Sequence, residues 1–156
     1  MSLDPTARRA NIKDSIKRYF CSVYSGELTF DKTLSTPDLL NDKSVDRWVN
    51  IDIGEVTRGV ITTVPLEIQC ASRQDPEGFK LAQLTDTMVG HLSDTTQTDG
   101  MKRIPFYRSV PTGPDDWVLL GSFVVSEEIT ESKELYAPDN SKYIIIFATL
   151  KTASKI

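Results

Sequence analysis

Residues 47–92 constrain the fold more than any other part of the sequence, because two strand patterns lead directly into a helix pattern. In Arg47–Thr57 the apolar side chains fall on alternate positions, at Val49, Ile51 and Ile53. A second alternation follows Gly59, and one of its faces is formed by Val60, Thr62, Val64, Leu66, Ile68 and Cys70. The sequence therefore predicts an antiparallel hairpin with one buried face.

The helix pattern after the hairpin carries its own start signal. Asp75 is a residue type that accepts amide protons at a helix N-terminus, and Pro76 suits the first helical position because its missing N–H costs nothing there. The segment Glu77–Leu92 then places four large apolar residues on one side, at Leu81, Leu84, Met88 and Leu92. We expect a helix that packs on the hairpin.

The remaining patterns complete an α+β fold. A first helix is predicted from Asp4-Pro5 to about Cys21, and a short strand is predicted in Glu27–Leu34. Two further strands are predicted in Ile104–Val110 and Asp116–Ser126. The expected architecture is an antiparallel or mixed sheet flanked by two helices on one face, in the order α-β-β-β-α-β-β-β. We expect a single domain over residues 1–156, with long loops at about 35–43, 93–102 and 127–141.

The last predicted strand, Lys142–Lys151, differs from the others because its apolar run has no polar alternation. Such a run is typical of a strand that is covered on both faces. Two helices cover one face, so the other requires either a loop that folds back or a neighbouring subunit. We favour a neighbour, and the predicted interface contains Tyr143, Ile144, Ile145, Ile146 and Phe147, together with Trp48, since tryptophan is enriched at interface centres.

Charge is unevenly distributed along a chain whose net charge is only −4. This balance argues against a dedicated nucleic-acid-binding domain, which usually carries a strongly positive patch. Arg9, Lys13 and Lys17 recur at every fourth position of the first helix and define a basic ridge, whereas Glu127, Glu128 and Glu131 form an acidic segment. The ridge is either a solvated helix flank or a contact for DNA, for an acidic partner or for the acidic segment of a neighbouring subunit.

The sequence offers little for catalysis or metal binding. His91 is the only histidine, and neither Cys21 nor Cys70 has a partner at zinc-ligand spacing. Phosphate-loop, dinucleotide, zinc-protease and nucleophile-elbow motifs are absent from the sequence. We therefore predict no catalytic residues, no metal site and no cofactor, and we interpret the cysteines as reduced, buried thiols. A small cytosolic enzyme acting near His91 and a monomeric binding module are the alternatives.

Membrane insertion is not expected, because the sequence has no apolar run of eighteen residues. The N-terminal segment Met1–Asn11 is polar and basic where a signal peptide requires an apolar centre. Both features favour a protein that acts in the cytosol.

The order of elements resembles that of the tail terminator proteins of long-tailed bacteriophages. The resemblance covers roughly residues 5–152 and depends on the strand Arg-Trp-Val-Asn-Ile-Asp-Ile at 47–53 and the transition Ile-Gln-Cys-Ala-Ser-Arg-Gln-Asp-Pro-Glu at 68–77. An N-terminal amphipathic helix, a loop-rich insertion and a final apolar strand complete it. The lengths of the segments at 35–43 and 93–102 depart from a minimal version of the family.

The resemblance implies a structural virion protein without a catalytic step. Such a protein forms a ring, normally of six subunits, that ends the tail tube and presents its other face to the head-completion or connector protein. DNA passes through the lumen without specific binding, and the ring is assembled in the host cytoplasm and remains in the tail or neck of the virion. Another head-to-tail joining protein of the neck is the nearest alternative.

Overall fold

Two helices and a curled, mixed β-sheet account for the part of the chain that the computed structural model describes, which comprises residues 9–31, 46–98, 100–109, 117–126, 128–136 and 141–153. The predicted α+β class is confirmed. The elements follow each other as α1 (Arg9–Val23), β1 (Glu27–Phe30), β2 (Arg47–Ile53), β3 (Ile61–Ser72), α2 (Phe79–His91), β4 (Arg103–Ser109), β5 (Trp117–Val125), β6 (Thr130–Glu131), β7 (Leu135–Tyr136) and β8 (Lys142–Ala153). The segments 35–43 and 111–114, the start of the first helix at Asp4-Pro5 and Glu127 lie outside the described residues.

The sheet has the strand order β1-β2-β3-β8-β5-β4. Strands β2 and β3 form the predicted antiparallel hairpin, whereas β1 pairs with β2 in parallel. Strand β8 is antiparallel to β3 over its whole length, from Lys142 opposite Ser72 to Ala153 opposite Ile61. The last strand in sequence is therefore a central strand of the sheet.

Two short strands, β6 and β7, were not predicted, because they lie in the segment 127–141 that was expected to be a loop. Both pair with β8 on the edge that β5 occupies further along. Ser126, between β5 and β6, and Ser132, between β6 and β7, continue the ladder along β8. Their hydroxyl oxygens accept the amide protons of Thr149 at 3.3 Å and Ile145 at 2.9 Å, respectively. A strand of two residues is too short to produce a recognisable alternation, which is why the sequence did not predict it.

One face of the sheet supplies most of the core. The alternating residues predicted for the hairpin are buried, with the exception of Val60, which is 85% exposed. Val60 precedes β3, which begins at Ile61. The core cluster also includes side chains of both helices, from α1 Ile12, Ile16, Tyr19 and Phe20 and from α2 Leu81, Leu84, Met88 and Leu92.

Helix α1 lies between the two outermost strands of the curled sheet. On one side, Tyr107 of β4 donates its amide proton to the Ser15 hydroxyl at 2.9 Å, and the Arg18 guanidinium lies 4.6 Å from the centre of the Tyr107 ring. On the other side, Lys13 forms a 2.8 Å ion pair with Asp31, which directly follows β1. The helix therefore forms a seam between β1 and β4, and it supplies a partner for a backbone group of the edge strand β4.

Helix α2 begins at Phe79, later than predicted, and its N-cap residue is Gly78. Asp75 nevertheless binds the helix start, because its carboxylate accepts the amide protons of Leu81 at 2.9 Å and Lys80 at 3.3 Å. The chemistry predicted for Asp75 is therefore present, but the position predicted for the first turn was wrong. The carboxylate reaches over a turn at 76–78, which is closed by a hydrogen bond from the Gly78 amide to the Asp75 carbonyl.

Gly78 provides a test of this helix start. Its φ of 73° is rare for other residues, and an added Cβ would lie 2.8 Å from a carboxylate oxygen of Glu134. We expect Gly78→Ala to lower the free energy of unfolding by about 1–3 kcal/mol. Gly90→Ala is the matched control, since no atom lies within 4 Å of its added Cβ, and it should raise stability by about 0.4–1 kcal/mol. Equal effects in urea denaturation would contradict the assignment.

The segment 93–102, predicted as an exposed loop, is folded back on itself in its described residues. Asp94 donates its amide proton to the Gly100 carbonyl at 2.8 Å, and Lys102 donates to the Leu92 carbonyl at 3.1 Å. Ser93 and Met101 form an isolated antiparallel bridge. These bonds connect the end of α2 to the start of β4 through a closed turn.

Candidate interaction surface

Strand β8 presents a row of apolar side chains on the face of the sheet opposite the core. Ile146 is fully buried and Ile144 packs against the core, so these two belong to the inner face. The alternate residues Tyr143 and Ile145 are half-buried, and Phe147 is 41% exposed. We call Tyr143, Ile145 and Phe147 the outward row. The predicted interface of six residues is thereby divided, because Ile144 and Ile146 contribute to the core.

Trp48, the sixth predicted interface residue, is only 3% exposed. It forms a small cluster with Ala71 and Tyr143, in keeping with the register that places Ala71 opposite both residues. The indole N–H of Trp48 is buried and has no acceptor among the described residues. Trp48 therefore anchors one end of the outward row and offers little surface of its own.

A network of polar side chains lies beside the outward row on β1, β2 and β3. The Asn50 amide, 1% exposed, donates to Gln69 at 3.0 Å and to Asp52 at 3.1 Å, and it accepts from the Thr29 hydroxyl at 2.8 Å. Gln69 also donates to Asp52 at 3.2 Å. Because these side chains hydrogen-bond to one another, the network holds a fixed polar region on the outer face beside the apolar outward row.

A groove of about 610 Å³ opens on the outer face around Phe147. Its walls come from Gly54 after β2, from β3, from β8 and from the segment that carries Glu128 and Thr130. Pro65 and Thr149 form part of its floor at opposite register positions. Two carboxylates, those of Glu67 and Glu128, and one ammonium group, that of Lys151, line it. This volume falls within the range of about 300–1,000 Å³ that is typical of binding sites.

The connection between β2 and β3 forms an apolar projection at the end of these strands. Val60 is 85% exposed and Ile61 is 57% exposed. Arg58 is exposed two residues earlier and has no ion pair with a described residue. We call residues 58–61 the tip. Hairpin connections are usually built from polar residues, so two adjacent exposed aliphatic side chains indicate a contact surface.

The basic ridge is engaged within its own chain. The Arg9 guanidinium donates to the carbonyl oxygens of Ile53 at 3.3 Å and Gly54 at 3.4 Å. Lys13 pairs with Asp31, as described above, and Lys17 lies 5.8 Å from the centre of the Phe30 ring. The ridge therefore has a structural use in the seam, on the side that faces β1 and the end of β2.

Asp31 is the residue on which this side of the seam converges. Its carboxylate also accepts the amide proton of Ile53 at 3.0 Å. Partial burial acts to raise the pKa of Asp31, but the hydrogen bonds from Lys13 and Ile53 and the charges of Lys13 and Arg9 outweigh it, so that the pKa lies below its ordinary value. In the predicted acidic segment, Glu128 and Glu131 are exposed, and Glu131 lies in β6 opposite Ile146.

His91 lies at the C-terminal end of α2, where its backbone carbonyl accepts the hydroxyl proton of Tyr19. Partial burial lowers the pKa of its imidazole. Burial also raises the pKa of the Tyr19 hydroxyl to about 12, with a smaller contribution from Asp94. His91 therefore takes part in a backbone contact between α1 and α2.

The two cysteines differ in their environment. Cys70 is buried, and burial raises the pKa of its thiol to about 12. Cys21 is exposed, which corrects the expectation that both thiols are buried. The reason is helical spacing, since Cys21 follows the buried pair Tyr19 and Phe20 and is turned about 100° from Phe20 towards solvent.

Within the described ranges, no group of three or more His, Cys, Asp or Glu side chains is placed to hold a metal ion. The same residues include no helix with the length and apolarity needed to cross a membrane.

The sequence matches no model of a known protein family, and it has no significant match among curated proteins.

Proposed function

We propose that this chain is a structural virion protein that forms a homo-oligomeric ring, of six subunits, at the head-proximal end of a phage tail. In this role it ends the tail tube, joins it to the head-completion or connector protein and performs no catalytic step. The single observation that supports self-association best is the outward row of β8. Tyr143, Ile145 and Phe147 line up on a central strand, and they remain partly exposed on the outer face of one protomer.

The physical argument is the free energy of covering this row. Burial of apolar surface stabilises by about 25 cal/mol per Å², so covering several large side chains is worth several kcal/mol. The edge of β8 is already paired by β5, β6 and β7, and therefore only its face is available. A second copy of the chain that covers this face would remove an exposed apolar surface from water.

The phage assignment draws on the order of elements that resembles the tail terminator family. The finer features of the predicted architecture, two helices on one face of the sheet and a ring that surrounds DNA, belong to this proposal. The lumen is proposed to let DNA pass without specific binding, and a lumen lined by lysine and arginine would contradict that part. The basic ridge does not carry the proposal, since it is engaged within its own chain.

The mass of the purified protein in solution tests self-association. Light scattering coupled to gel filtration is expected to give about 105 kDa for six chains of 17.5 kDa each, and electron micrographs should show ring-shaped particles. His91→Ala is the control, and it should leave mass and ring shape unchanged. A 17.5 kDa species at micromolar concentration, without rings in the micrographs, would contradict the proposal.

The position in the virion requires a second measurement. Tail tubes polymerised from purified tube protein should carry the ring at one end only, and they should stop growing once it has bound. Binding along the sides of the tube, or continued growth in the presence of bound rings, would contradict the role as terminator. The remaining candidate would then be a different joining protein of the neck.

A further inference from the structure

We propose that the contact between copies is formed by the tip of one chain seated in the groove of the next. This inference rests on the proposed ring and names the two surfaces that would build it. The tip is residues 58–61, the end of the β2–β3 connection together with the first residue of β3, and the groove surrounds Phe147 on the outer face. The occupant of the groove is therefore a second copy of this chain.

The first argument is that both surfaces are apolar and uncovered in the single chain. Val60 and Ile61 are 85% and 57% exposed, and Phe147 is 41% exposed. A chain's own tip does not fill its own groove, because none of residues 58–61 lines the groove and Val60 and Ile61 stay exposed. The side chains of Val60, Ile61 and Phe147 are thus open to contact by another copy.

The second argument is the size of the groove. About 610 Å³ is enough to accept two aliphatic side chains together with part of a guanidinium group. Pro65 and Phe147 would contact the aliphatic side chains of the tip. Hot spots in interfaces are typically aromatic or aliphatic groups that fill a pocket in this way.

The third argument is charge. The tip carries Arg58, and the groove carries Glu67 and Glu128, which form no ion pair with a described residue. Lys151 lies opposite Thr63, nearer the tip end of the sheet. Its positive charge is complementary to the carboxylate of Glu55, an exposed residue before the tip. Opposite charges at both ends of a contact set its orientation more than its affinity.

The arrangement also accounts for a closed assembly. The tip lies at the end of the strands and the groove lies on the face of the sheet, so the contact joins two different surfaces. Contacts of this kind pass from copy to copy, and they close into a ring when the rotation between neighbours permits it. An isologous pair, in which two copies exchange their tips, would stop at two chains.

Mixing two variants tests the contact directly. Val60→Asp removes the apolar tip and Phe147→Ser removes the apolar wall of the groove. Each variant alone is expected to sediment as a single chain of 17.5 kDa, because every contact lacks one half. An equimolar mixture retains one intact tip and one intact groove per pair and should form a two-chain species of about 35 kDa. Leu119→Ser, at a residue that is 62% exposed and does not line the groove, is the control and should still form rings.

A charge exchange provides the second measurement. Arg58→Glu or Glu128→Arg alone should weaken assembly at least tenfold at low salt, and the chain that carries both should recover most of the loss. Circular dichroism and thermal melting of each variant verify that it is folded.

The outcomes separate the two proposals. If both single variants still form rings of the wild-type size, the tip-to-groove contact is overturned and the proposed ring is not. Folded single-chain variants that form no two-chain species when mixed would also overturn the contact. A wild-type protein that remains a single chain would overturn the ring and this contact together. A wild-type species of two chains would overturn the ring, and the mixing experiment would then decide whether the tip still occupies the groove.

Discussion

Replacing Phe20 by alanine is expected to lower the free energy of unfolding by about 3–5 kcal/mol, because the ring is fully buried and its loss leaves a cavity. Phe20 packs edge-on against Tyr19, with ring centres 5.1 Å apart, and both belong to the core cluster. Helix α1 also holds the seam between β1 and β4. A loosened helix therefore weakens contacts with both outermost strands.

Urea denaturation monitored by circular dichroism measures this loss. Protein concentration must be the same for every variant, since the stability of an assembling chain depends on it. Phe79→Ala is the matched control, because it makes the same truncation on a helix at a residue that is 66% exposed, and its effect should stay within about 0.5 kcal/mol. Equal losses in the two variants would show that Phe20 does not stabilise the core as described.

Replacing Asp75 by asparagine is expected to cost about 1–3 kcal/mol at neutral pH, because the carboxylate is buried and accepts charge-assisted hydrogen bonds. Burial acts to raise the pKa of Asp75, but the hydrogen bonds from the amides of Leu81 and Lys80 and from the Ser72 hydroxyl outweigh it. The pKa of Asp75 in the folded chain therefore lies below its ordinary value. The stability that this shift contributes is present above the unfolded-state pKa, about 3.9.

The same stability is lost as pH falls through the lower pKa of the folded state. The difference between wild type and Asp75→Asn should consequently be constant from pH 7 to about pH 5 and shrink below about pH 4. Asp86→Asn is the control, since Asp86 is an exposed carboxylate on the same helix. A difference that does not change with pH would show that the shape of the side chain, and not its charge, stabilises the start of α2.

The alternation of apolar residues was sufficient to predict the core face of the hairpin. Val49, Ile51 and Ile53 are buried, as are five of the six residues predicted on β3. Val60 is the exception, because alternation records which residues share a face and not where the sheet ends. The same pattern in β8 did not separate its two faces, since the run 143–148 is apolar on both. Only the structure distinguishes Ile146, which is fully buried, from Phe147, which is partly exposed.

The sequence did not predict long-range pairing. The parallel pairing of β1 with β2, the position of β8 inside the sheet and the short strands β6 and β7 all depend on contacts between distant segments. Local signals were also misread where a side chain acts across a turn, as Asp75 does for a helix that begins at Phe79. The groove was not predicted for the same reason, because its walls come from four separate segments. Two adjacent aliphatic residues next to a glycine, Val60 and Ile61 after Gly59, were the one signal in the sequence that could have indicated the tip.

The place of β8 in the middle of the sheet has a consequence for how the protein is made. The ribosome releases β3 and β5 before β8, so each of these strands waits with an unpaired edge until their shared neighbour emerges. During that interval the nascent polypeptide exposes the unpaired backbone N–H and C=O groups of two strand edges. Pairing of β8 with both edges therefore determines when the newly synthesised chain no longer binds chaperones or aggregates through them.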